Sequence, residues 1–348
     1  MTSFQKGKVD IVAVAKAAKV SPSTVSRAFN HPQLVNPATR KKINRAVQKL
    51  GYIRNRAAQT MHGKRSGTIG LVVPTINHAI FAEVIQAFSD SIDDAGFSLL
   101  LASHGYDLDR EYAMVRKLLE HRVDGVALVG LEHSDATVRL IDQQKIPALA
   151  IWNYAEDSAL PCVGADNRLA GRLAAEHLLE LGHRDIGLIF PKTTGNDRAQ
   201  NRLSAVNEAL GEKGVCVPDE HVSEAPYSVA QAKQAAMELL QEGTRPTALL
   251  CGNDVIAQGA LYAAQNLGLR VPDDLSIIGI GDFKGSADIE PGLTTIRIPA
   301  ETIGKLAGER FTDYITSDDP EPFRLCCELE RVVRGTTCPA SHYLSPDR

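Results

Sequence analysis

The stretch VSPSTVSRAFN, residues 20–30, decides how the first part of this chain folds. Five of its eleven residues are Ser, Thr or Pro, a composition that is typical of loops. Two features nevertheless indicate a helix. Ser21 belongs to the residue types that cap helices, and Pro22 suits the first helical position, where its missing N–H would have no partner in any case. We therefore predict a helix that begins after Ser21.

A further helix is predicted on each side of this stretch. Asp10 can cap a helix over IVAVAKAAK, while Asn36, followed by Pro37, can cap a helix that ends at Gly51. The three helices can share a small core. The apolar residues spaced to meet there are Val14, Ala18, Val25, Ala28, Phe29, Ile43 and Leu50. Residues 1–54 are thus predicted to form an all-α domain of three helices.

Charge is distributed unevenly along the 348 residues. Residues 1–65 hold fourteen Lys and Arg and one acidic residue, a net charge of +13, whereas the remainder holds 24 basic and 41 acidic residues, a net charge of −17. Positive charges at that density repel one another unless a partner neutralises them. The pattern favours a polyanion as the partner of the first segment. The alternative is a solvated basic face.

Double-stranded DNA as that polyanion would explain the small hydroxyl side chains. A helix that enters the major groove brings its N-terminal residues against phosphates and base edges, and large apolar side chains would hold it away. Arg27 lies one helical turn into the predicted helix and can reach a base edge, most favourably guanine O6 and N7. The short side chains that can donate to phosphate oxygens are Ser21, Ser23, Thr24 and Ser26.

From Thr68 onward the sequence alternates between apolar runs and helical patterns. One series of runs is TIGLVVP, FSLLLAS, DGVALVG and PALAIW, and a second is DIGLIF, ALLCGND and LSIIGIGD. Strands that alternate with helices of this length form doubly wound parallel sheets, and two series predict two lobes of an α/β core. The predicted parts are a hinge at 55–65, a core at 66–340, an N-lobe of about 66–166 and 298–324, and a C-lobe of about 167–297 and 325–340.

Several classes of protein are disfavoured. No run approaches the roughly 18 apolar residues of a membrane span, and the N-terminal segment lacks the features of a signal peptide, so a cytoplasmic protein is expected. No G-x-S-x-G, H-E-x-x-H or P-loop motif occurs, so neither enzyme activity nor a cofactor is expected. His177 and His183 do not share a helical face, so no metal is expected, and the six cysteines are expected to be buried thiols. A solute-binding protein of a transport system and an α/β enzyme are the alternatives.

Blocks that follow one another along almost the whole chain resemble the lactose-repressor (LacI/GalR) family of bacterial transcription regulators. They are VDIVAVAKAAKVSPSTVSRAFN, VNPATRKKINRAVQKLGYIRN, HLLELGHRDIGLI, CGNDVIAQGAL, GLRVPDDLSIIGIGDF and LTTIRIPAETIG. The resemblance implies a helix-turn-helix head, a hinge helix, and a core like a periplasmic binding protein with a small-molecule effector between its lobes. It also implies a repressor that binds a pseudo-palindromic operator as a homodimer. The tail CPASHYLSPDR lacks a leucine heptad, which favours a dimer over the alternative of a tetramer.

The resemblance also places the DNA contacts. Its base-reading positions match Pro22, Ser23 and Arg27, and because Pro22 has no donor, specificity is expected to rest on Ser23, Arg27 and the hinge. Phosphate contacts are expected from Ser21, Thr24, Ser26, Asn30, Asn36 and Thr39. In the hinge, Asn55, Ala58 and Met61 are expected at the minor groove, with Met61 in place of the family's wedging leucine. The alternative for Met61 is a plain packing role.

The effector positions that the resemblance implies are Asn77, Phe81, Trp152, Arg198, Arg202, Tyr227, Asn253 and Asp282. Many sugar-binding relatives carry an aspartate where this chain has Trp152, and Arg198 adds a second guanidinium near Arg202. Fewer carboxylates and more guanidinium groups favour an anionic effector, such as a sugar acid or another small hydroxylated carboxylate or phosphate, over a neutral sugar. The alternative is that Arg198 pairs with Asp197 or Asp166 and faces solvent.

Overall fold

Two compact units make up the chain, residues 1–66 and 67–348. The computed structural model describes residues 9–53, 65–77, 79–241 and 244–340. Of the predicted hinge only Arg65 is among them. The expected DNA contacts at Asn55, Ala58 and Met61 therefore lie outside the described residues, and they stay predictions.

The described part of the first unit consists of helices. They are α1 (Ile11–Ala18), α2 (Pro22–Asn30) and α3 (Pro37–Leu50), with a 3-10 turn, Pro32–Leu34, between the last two. The side chains of Asp10, Ser21 and Asn36 each accept a hydrogen bond from a backbone N–H of the first turn, at 2.8, 3.1 and 2.9 Å. Such bonds satisfy amides that have no partner within the helix. The three-helix prediction is confirmed.

A small apolar core lies between these helices. Val14, Val25 and Ile43 are completely buried in it, one from each helix. Phe29 is partly buried, and its ring centroid lies 6.2 Å from that of Tyr52. Because α2 directs Val25 and its apolar neighbours inward, the opposite side of the helix is left to face solvent.

The second unit is an α/β core of two lobes. Its strands are β1 (Thr68–Val73), β2 (Ser98–Ser103), β3 (Gly125–Val129), β4 (Ala148–Asn153), β5 (Cys162–Ala165), β6 (Ile186–Phe190), β7 (Val222–Glu224), β8 (Ala248–Cys251), β9 (Ser276–Gly281), β10 (Thr294–Arg297), β11 (Arg324–Cys326) and β12 (Glu330–Val332). Its helices are α4 (Ala79–Asp94), α5 (Leu108–Glu120), α6 (Asp135–Gln144), α7 (Asn167–Glu180), α8 (Asp197–Glu212), α9 (Val229–Gln241), α10 (Asp254–Asn266) and α11 (Ala300–Thr316).

Each lobe is built on one sheet. The N-lobe sheet has the strand order β11-β5-β4-β3-β1-β2, and all its pairs are parallel. The C-lobe sheet has the order β12-β10-β9-β8-β6-β7, in which β12 alone is antiparallel to its neighbour. Central strands such as β3, β4 and β9 are buried at every residue, since helices cover both faces. The predicted fold class, a helical head and a two-lobed parallel core, is confirmed.

The chain returns from the N-lobe to the C-lobe slightly later than predicted. The predicted boundary follows residue 324, but β11 pairs with β5 through residue 326, so two more residues belong to the N-lobe sheet. None of the six cysteines forms a disulfide, but Cys216 and Cys326 are exposed and Cys338 is half-buried, so the expectation of buried thiols is wrong for these three. Among the described residues, no helix is both long and apolar enough to cross a membrane.

Candidate DNA-binding helix and effector cleft

Helix α2 and its cap residue expose four of the side chains expected at DNA. Ser21, Pro22, Ser23 and Arg27 are exposed, while Thr24 and Ser26 are half-buried. The Ser21 hydroxyl oxygen lies 2.8 Å from the hydroxyl oxygens of both Ser23 and Thr24. These hydroxyls therefore cluster at the N-terminus of a helix, where backbone N–H groups and the helix dipole favour an anion such as a phosphate.

The start of α3 adds two further polar groups. Asn36 is exposed and Thr39 is half-buried. The side-chain oxygen of Asn36 already accepts the 2.9 Å bond from the Ala38 N–H, which leaves its amide nitrogen as the group that can donate to a phosphate. Asn30, another expected phosphate contact, is the last residue of α2. The described part of this unit thus offers donors and cations, with Asp10 as its one acidic residue.

A narrow cleft lies between the two lobes of the core. Phe81, Tyr106 and Trp152 line it from the N-lobe, and Arg198, Arg202, Tyr227, Asn253 and Phe283 line it from the C-lobe. Six of the eight expected effector positions are among these residues, at the carboxyl ends of strands or in the helices that follow them, where ligands of open α/β sheets bind.

Two expected positions lie elsewhere. Asn77 is exposed, and its N–H donates to the Thr75 hydroxyl at 3.1 Å. Asp282 does not line the cleft, because one carboxylate oxygen accepts from Arg297 Nε at 2.6 Å and the other lies 2.7 Å from Arg334 Nη2. Each carboxylate oxygen of Asp282 thus already contacts a guanidinium group, and the expected bond from effector hydroxyls or amines to Asp282 stays a prediction.

Two lining residues were not predicted. Tyr106 follows Gly105 in the turn after β2, and nothing in the sequence distinguishes this tyrosine from one in a surface turn. Phe283 directly follows the expected Asp282, and its N–H donates to the buried carboxylate of Asp254 at 3.1 Å. Packing of the loop after β9 therefore turns the phenyl ring, rather than the carboxylate beside it, toward the cleft.

Arg202 is a buried cation with no acidic partner. Its side chain donates from Nε to Asn167 Oδ1 at 2.8 Å and from Nη1 to the Gly252 carbonyl at 3.0 Å. Within the described chain it makes no ion pair, and Nη2 makes no hydrogen bond. Burial, reinforced by the positive charge of Arg198, lowers the pKa of Arg202 to about 10. A buried guanidinium with one free edge is suited to hold an anionic or hydroxyl oxygen.

Arg198 is also buried, but its charge is compensated. Its Nη1 lies 3.0 Å from Asp197 Oδ1 and donates a longer bond, 3.4 Å, to the Val129 carbonyl. Burial lowers the pKa of Arg198, but Asp197 and the nearby Tyr106 outweigh that effect and raise it overall. The alternative interpretation had two parts. The ion pair between Arg198 and Asp197 exists, but Arg198 is only 5% exposed and does not face solvent.

A chain of side-chain hydrogen bonds joins these two arginines. Beyond the bond from Arg202, Asn167 donates from Nδ2 to Asn153 Oδ1 at 3.2 Å, and Asn153 donates in turn to Asp197 Oδ2 at 2.6 Å. Asn153 ends β4 of the N-lobe, whereas Asp197 begins α8 of the C-lobe. Asn153 and Asn167 are 1% and 3% exposed, so these bonds compete little with water and hold the two guanidinium groups in place.

Aromatic side chains form the walls of the cleft. The rings of Phe81 and Trp152 meet edge to face with centroids 6.0 Å apart, and those of Tyr106 and Tyr227 lie 5.9 Å apart across the lobes. Trp152, Tyr106 and Asp282 have φ values of 84°, 63° and 56°. Positive φ is unusual for residues other than glycine and is concentrated at functional sites. The backbone thus has an unusual conformation at two lining residues, Trp152 and Tyr106, and at Asp282 beside the lining residue Phe283.

The space inside the cleft is small. The cavity enclosed by its eight residues measures about 20 Å³. A larger space of about 570 Å³ is lined by both lobes, including the two tyrosines, with Lys192 and Asn196 among its polar residues. A further cavity of about 430 Å³ lies against α10 and is not connected with the arginines. The buried cations and the unusual backbone conformations converge at the cleft, which makes it the candidate effector site.

A helical unit with an exposed polar helix, followed by a two-lobed core with a cleft between parallel sheets, defines a ligand-responsive DNA-binding protein. Comparison with known families agrees: "Bacterial regulatory proteins, lacI family" matches residues 10–55, and "Periplasmic binding protein-like domain" matches residues 175–338. This chain belongs to the lacI family of bacterial regulatory proteins. It is a DNA-binding transcriptional repressor regulated by a small-molecule effector, and the alternative of a transport binding protein is set aside.

Similarity to characterised proteins extends over nearly the whole chain. The HTH-type transcriptional repressor PurR of Serratia proteamaculans is 34% identical over 314 residues, which cover 88% of this chain and 91% of that protein. The lac repressor dimer bound to operator and the anti-inducer ONPF superposes with a TM-score of 0.83 at 28% identity, covering 95% and 100%. The regulator CelR in complex with cellobiose gives 0.69 at 28% identity, covering 94% and 99%. These relatives are transcriptional regulators.

Proposed function

We propose that this repressor responds to a small, hydroxylated monocarboxylate, such as a sugar acid, that binds between the lobes of the core. The charges around the cleft support a single negative charge on the effector. Arg198 is neutralised by Asp197, and Asp282 by two arginines, which leaves Arg202 as the uncompensated cation among the lining residues described. A ligand with one carboxylate would balance that charge, whereas a phosphate dianion would exceed it.

The remaining polar groups of the cleft suit the hydroxyls of such a ligand. Asn253 Oδ1 accepts from the Ile256 N–H at 3.0 Å, so its amide nitrogen is the group that can donate into the cleft. The Tyr227 hydroxyl oxygen accepts a hydrogen bond from Asn196 Nδ2 at 3.0 Å. The Tyr227 O–H proton therefore points away from Asn196. The aromatic walls would cover the apolar faces of a carbon chain or ring.

Calorimetry with matched ligands tests the effector class. The panel contains straight-chain hydroxylated monocarboxylates, the neutral sugars of the same chain length, and their phosphate esters. We expect at least one monocarboxylate to bind about tenfold or more tightly than its neutral counterpart, since an unmade charge-assisted bond costs about 1.5–3 kcal/mol. In Arg202→Gln this preference should disappear. Arg168→Gln, which removes an exposed arginine paired with Glu208, is the matched control. Tight binding of a neutral sugar alone would contradict the proposal.

We further infer that α2 reads the operator, with Ser23 and Arg27 at base edges. Phosphate contacts are assigned to Ser21, Thr24, Ser26, Asn30, Asn36 and Thr39. The exposure of Arg27 and the hydroxyl cluster at the N-terminus of α2 support this assignment. Pro22 occupies the first helical position and contributes shape rather than a donor.

We also infer that the protein acts in the cytoplasm as a homodimer, and that this homodimer binds a pseudo-palindromic operator. We infer as well that the protein binds its effector without converting it. Two identical heads read two related half-sites, because operator symmetry mirrors protein symmetry. The edge strand β2 carries Leu100 and Leu101, which are 36% and 42% exposed, and such apolar residues are suited to a subunit contact. Sedimentation of the purified protein tests whether it is a homodimer. Assay of the bound acid after long incubation tests whether the effector is left unconverted.

A further inference from the structure

The carboxylate of Asp197 joins the two lobes directly. Asp197 is the first residue of α8 in the C-lobe, yet its Oδ2 accepts from the Leu131 N–H at 2.8 Å and from Asn153 Nδ2 at 2.6 Å, both in the N-lobe. Its Oδ1 accepts from the N–H and the Nη1 of Arg198, at 2.8 and 3.0 Å. One side chain therefore collects four hydrogen bonds, two from each lobe.

Only a carboxylate can make this set of bonds. All four partners are donors, and an ionised Asp accepts at both oxygens, whereas an Asn would place its NH₂ against one pair of donors. The Asp197 side chain is 14% exposed, so its bonds compete little with water. Charge-assisted bonds in such surroundings are about twice as strong as neutral ones.

The backbone of the N-lobe is shaped to receive this carboxylate. Gly130, which precedes Leu131, has a φ of 103°, a value that favours glycine. A Cβ at this position would lie 2.5 Å from Arg198 Nη1 and 3.1 Å from Asp197 Oδ1. The loop after Gly130 is anchored to α5, since His133 Nδ1 lies 3.1 Å from both carboxylate oxygens of the buried Glu111. The residues on both sides of the Leu131 donor are thus constrained within the N-lobe.

This arrangement leaves no room for an effector beside Arg202, although the larger space of about 570 Å³ adjoins the same two tyrosines. The cavity that Arg202 lines measures about 20 Å³. A water molecule needs at least about 10–15 Å³ of such space, and ligand pockets are typically about 300–1,000 Å³. A ligand that reaches Arg202 must therefore move the lobes apart at the point where Asp197 joins them.

We propose that Asp197 is an interlobe latch: its carboxylate, bound to the Leu131 N–H and Asn153, holds the repressor core in an occluded arrangement that the effector has to open. The part of this inference that concerns the effector rests on the proposed function. Effector and latch oppose each other, so the apparent affinity for the effector falls with the fraction of molecules that are latched. Asp197 thus positions the two lobes relative to each other and regulates access of the effector to Arg202.

Hydrogen exchange on the full-length protein, without DNA or small molecules, tests the latch itself. In Asp197→Asn we expect the Leu131 amide to exchange about tenfold or more faster than in the wild type, because its acceptor is lost. Asn153→Ala, which removes one of the two N-lobe donors without a change of charge, should give a smaller acceleration at the same amide. Asp135→Asn is the matched control, since Asp135 is also the first residue of its helix but its side chain is 92% exposed. Unchanged exchange at Leu131 in both latch variants would overturn the proposal.

Ligand affinity provides the second readout. With the panel of hydroxylated monocarboxylates, Asp197→Asn and Asn153→Ala should both bind the best ligand several-fold more tightly than the wild type. The uncharged Asn153→Ala change separates release of the latch from a gain of positive charge near Arg198. Weaker binding in both variants would show that Asp197 favours the effector-bound arrangement, which is the opposite of the proposal. If no monocarboxylate binds at all, the proposed function fails, but hydrogen exchange still decides whether the latch exists.

Discussion

At the scale of single residues, the chemistry of this repressor depends on how each charge is compensated. Arg198 and Arg202 stand one turn apart on α8 and are equally buried, yet only Arg198 has a carboxylate partner. Burial lowers the pKa of Arg202 to about 10, whereas for Arg198 the neighbouring Asp197 outweighs burial and the pKa is raised. Two identical side chains in one cleft therefore take different roles, one structural and one available to a ligand.

Arg27 provides a test of base recognition. In Arg27→Ala, affinity for the operator should fall by about 1–3 kcal/mol, the usual contribution of a bidentate contact with guanine, while affinity for unrelated DNA falls much less. Competition binding with operator and random duplexes at one salt concentration measures both. Lys16→Ala, a change of an exposed cation on α1, is the control. An equal loss on all duplexes would show that Arg27 contacts only phosphate.

His177 predicts how the stability of the core depends on pH. Burial, reinforced by the positive charge of Arg331, lowers the pKa of His177 to about 4, and its Nε2 lies 3.0 Å from the Thr337 hydroxyl. The unfolded chain takes up a proton near pH 6.5 that the folded protein does not bind until about pH 4. Stability is therefore lost as the pH falls through this window, by up to about 1.4 kcal/mol per pH unit, and is flat above it.

Urea unfolding of the wild type and of His177→Gln at several pH values between 7 and about 4.5 checks this sign. The variant should be less stable at neutral pH, because it loses a buried hydrogen bond, but its stability should decline less steeply on acidification. His104 and His183, whose pKa values burial also lowers, are present in both proteins and cancel in the comparison. His121→Gln, at an exposed position, is the control. Parallel pH curves for the wild type and His177→Gln would contradict the assignment.

At the scale of elements, α2 shows how one helix serves folding and binding together. Its inner side contributes Val25 and Ala28 to the core of the head, and its outer side carries hydroxyls and Arg27. Ser21 belongs to both roles, since its Oγ caps the helix through the 3.1 Å bond from the Thr24 N–H and also joins the hydroxyl cluster. Stability and DNA affinity are thus separable at this position by the choice of substitution.

Two substitutions at Ser21 make that separation. Ser21→Ala removes the cap and should destabilise the head by about 1 kcal/mol. Ser21→Asp keeps a capping oxygen and should preserve stability, but its negative charge should weaken binding to every duplex through repulsion of phosphate. Thermal unfolding of the head and titration with DNA measure the two effects. Equal DNA affinity for Ser21→Asp and the wild type would place Ser21 away from the phosphates.

At the scale of the whole molecule, charge is divided between a basic head and an acidic core. The net charges of +13 for residues 1–65 and −17 for the remainder nearly cancel, so the total of −4 conceals the DNA-binding segment. The positive field of the head attracts DNA from a distance, while the acidic core does not compete for the same polyanion. The proposed latch at Asp197 also affects the whole core, because its bonds join the two lobes.

Salt dependence tests this division. The logarithm of operator affinity should fall linearly with the logarithm of salt concentration, with a slope of about −0.9 for each phosphate neutralised. Replacing the exposed Arg45 of α3 by Gln changes one cation, and it should reduce the slope by about one only if Arg45 contacts a phosphate. Lys213→Gln, in the core, should leave the slope unchanged. A slope near zero for the wild type would exclude phosphate contacts as the main source of affinity.

Sequence alone determined what depends on local chemistry and periodicity. Caps at Asp10, Ser21 and Asn36, the alternation of strands and helices, and the uneven charge are all properties of residues near one another in the chain, and each corresponds to the structure. The resemblance to a family added six of the eight residues that line the cleft.

Only the tertiary structure decided which charges remain available. Asp282 and Asp197 are both aspartates beside a strand end or helix start, and no local pattern reveals that Arg334 and Arg297 occupy the first or that Leu131 and Asn153 bind the second. Tyr106 enters the cleft for the same reason, because the turn after β2 meets the other lobe. Charge compensation and burial depend on distances between residues far apart in the chain, and folding sets those distances.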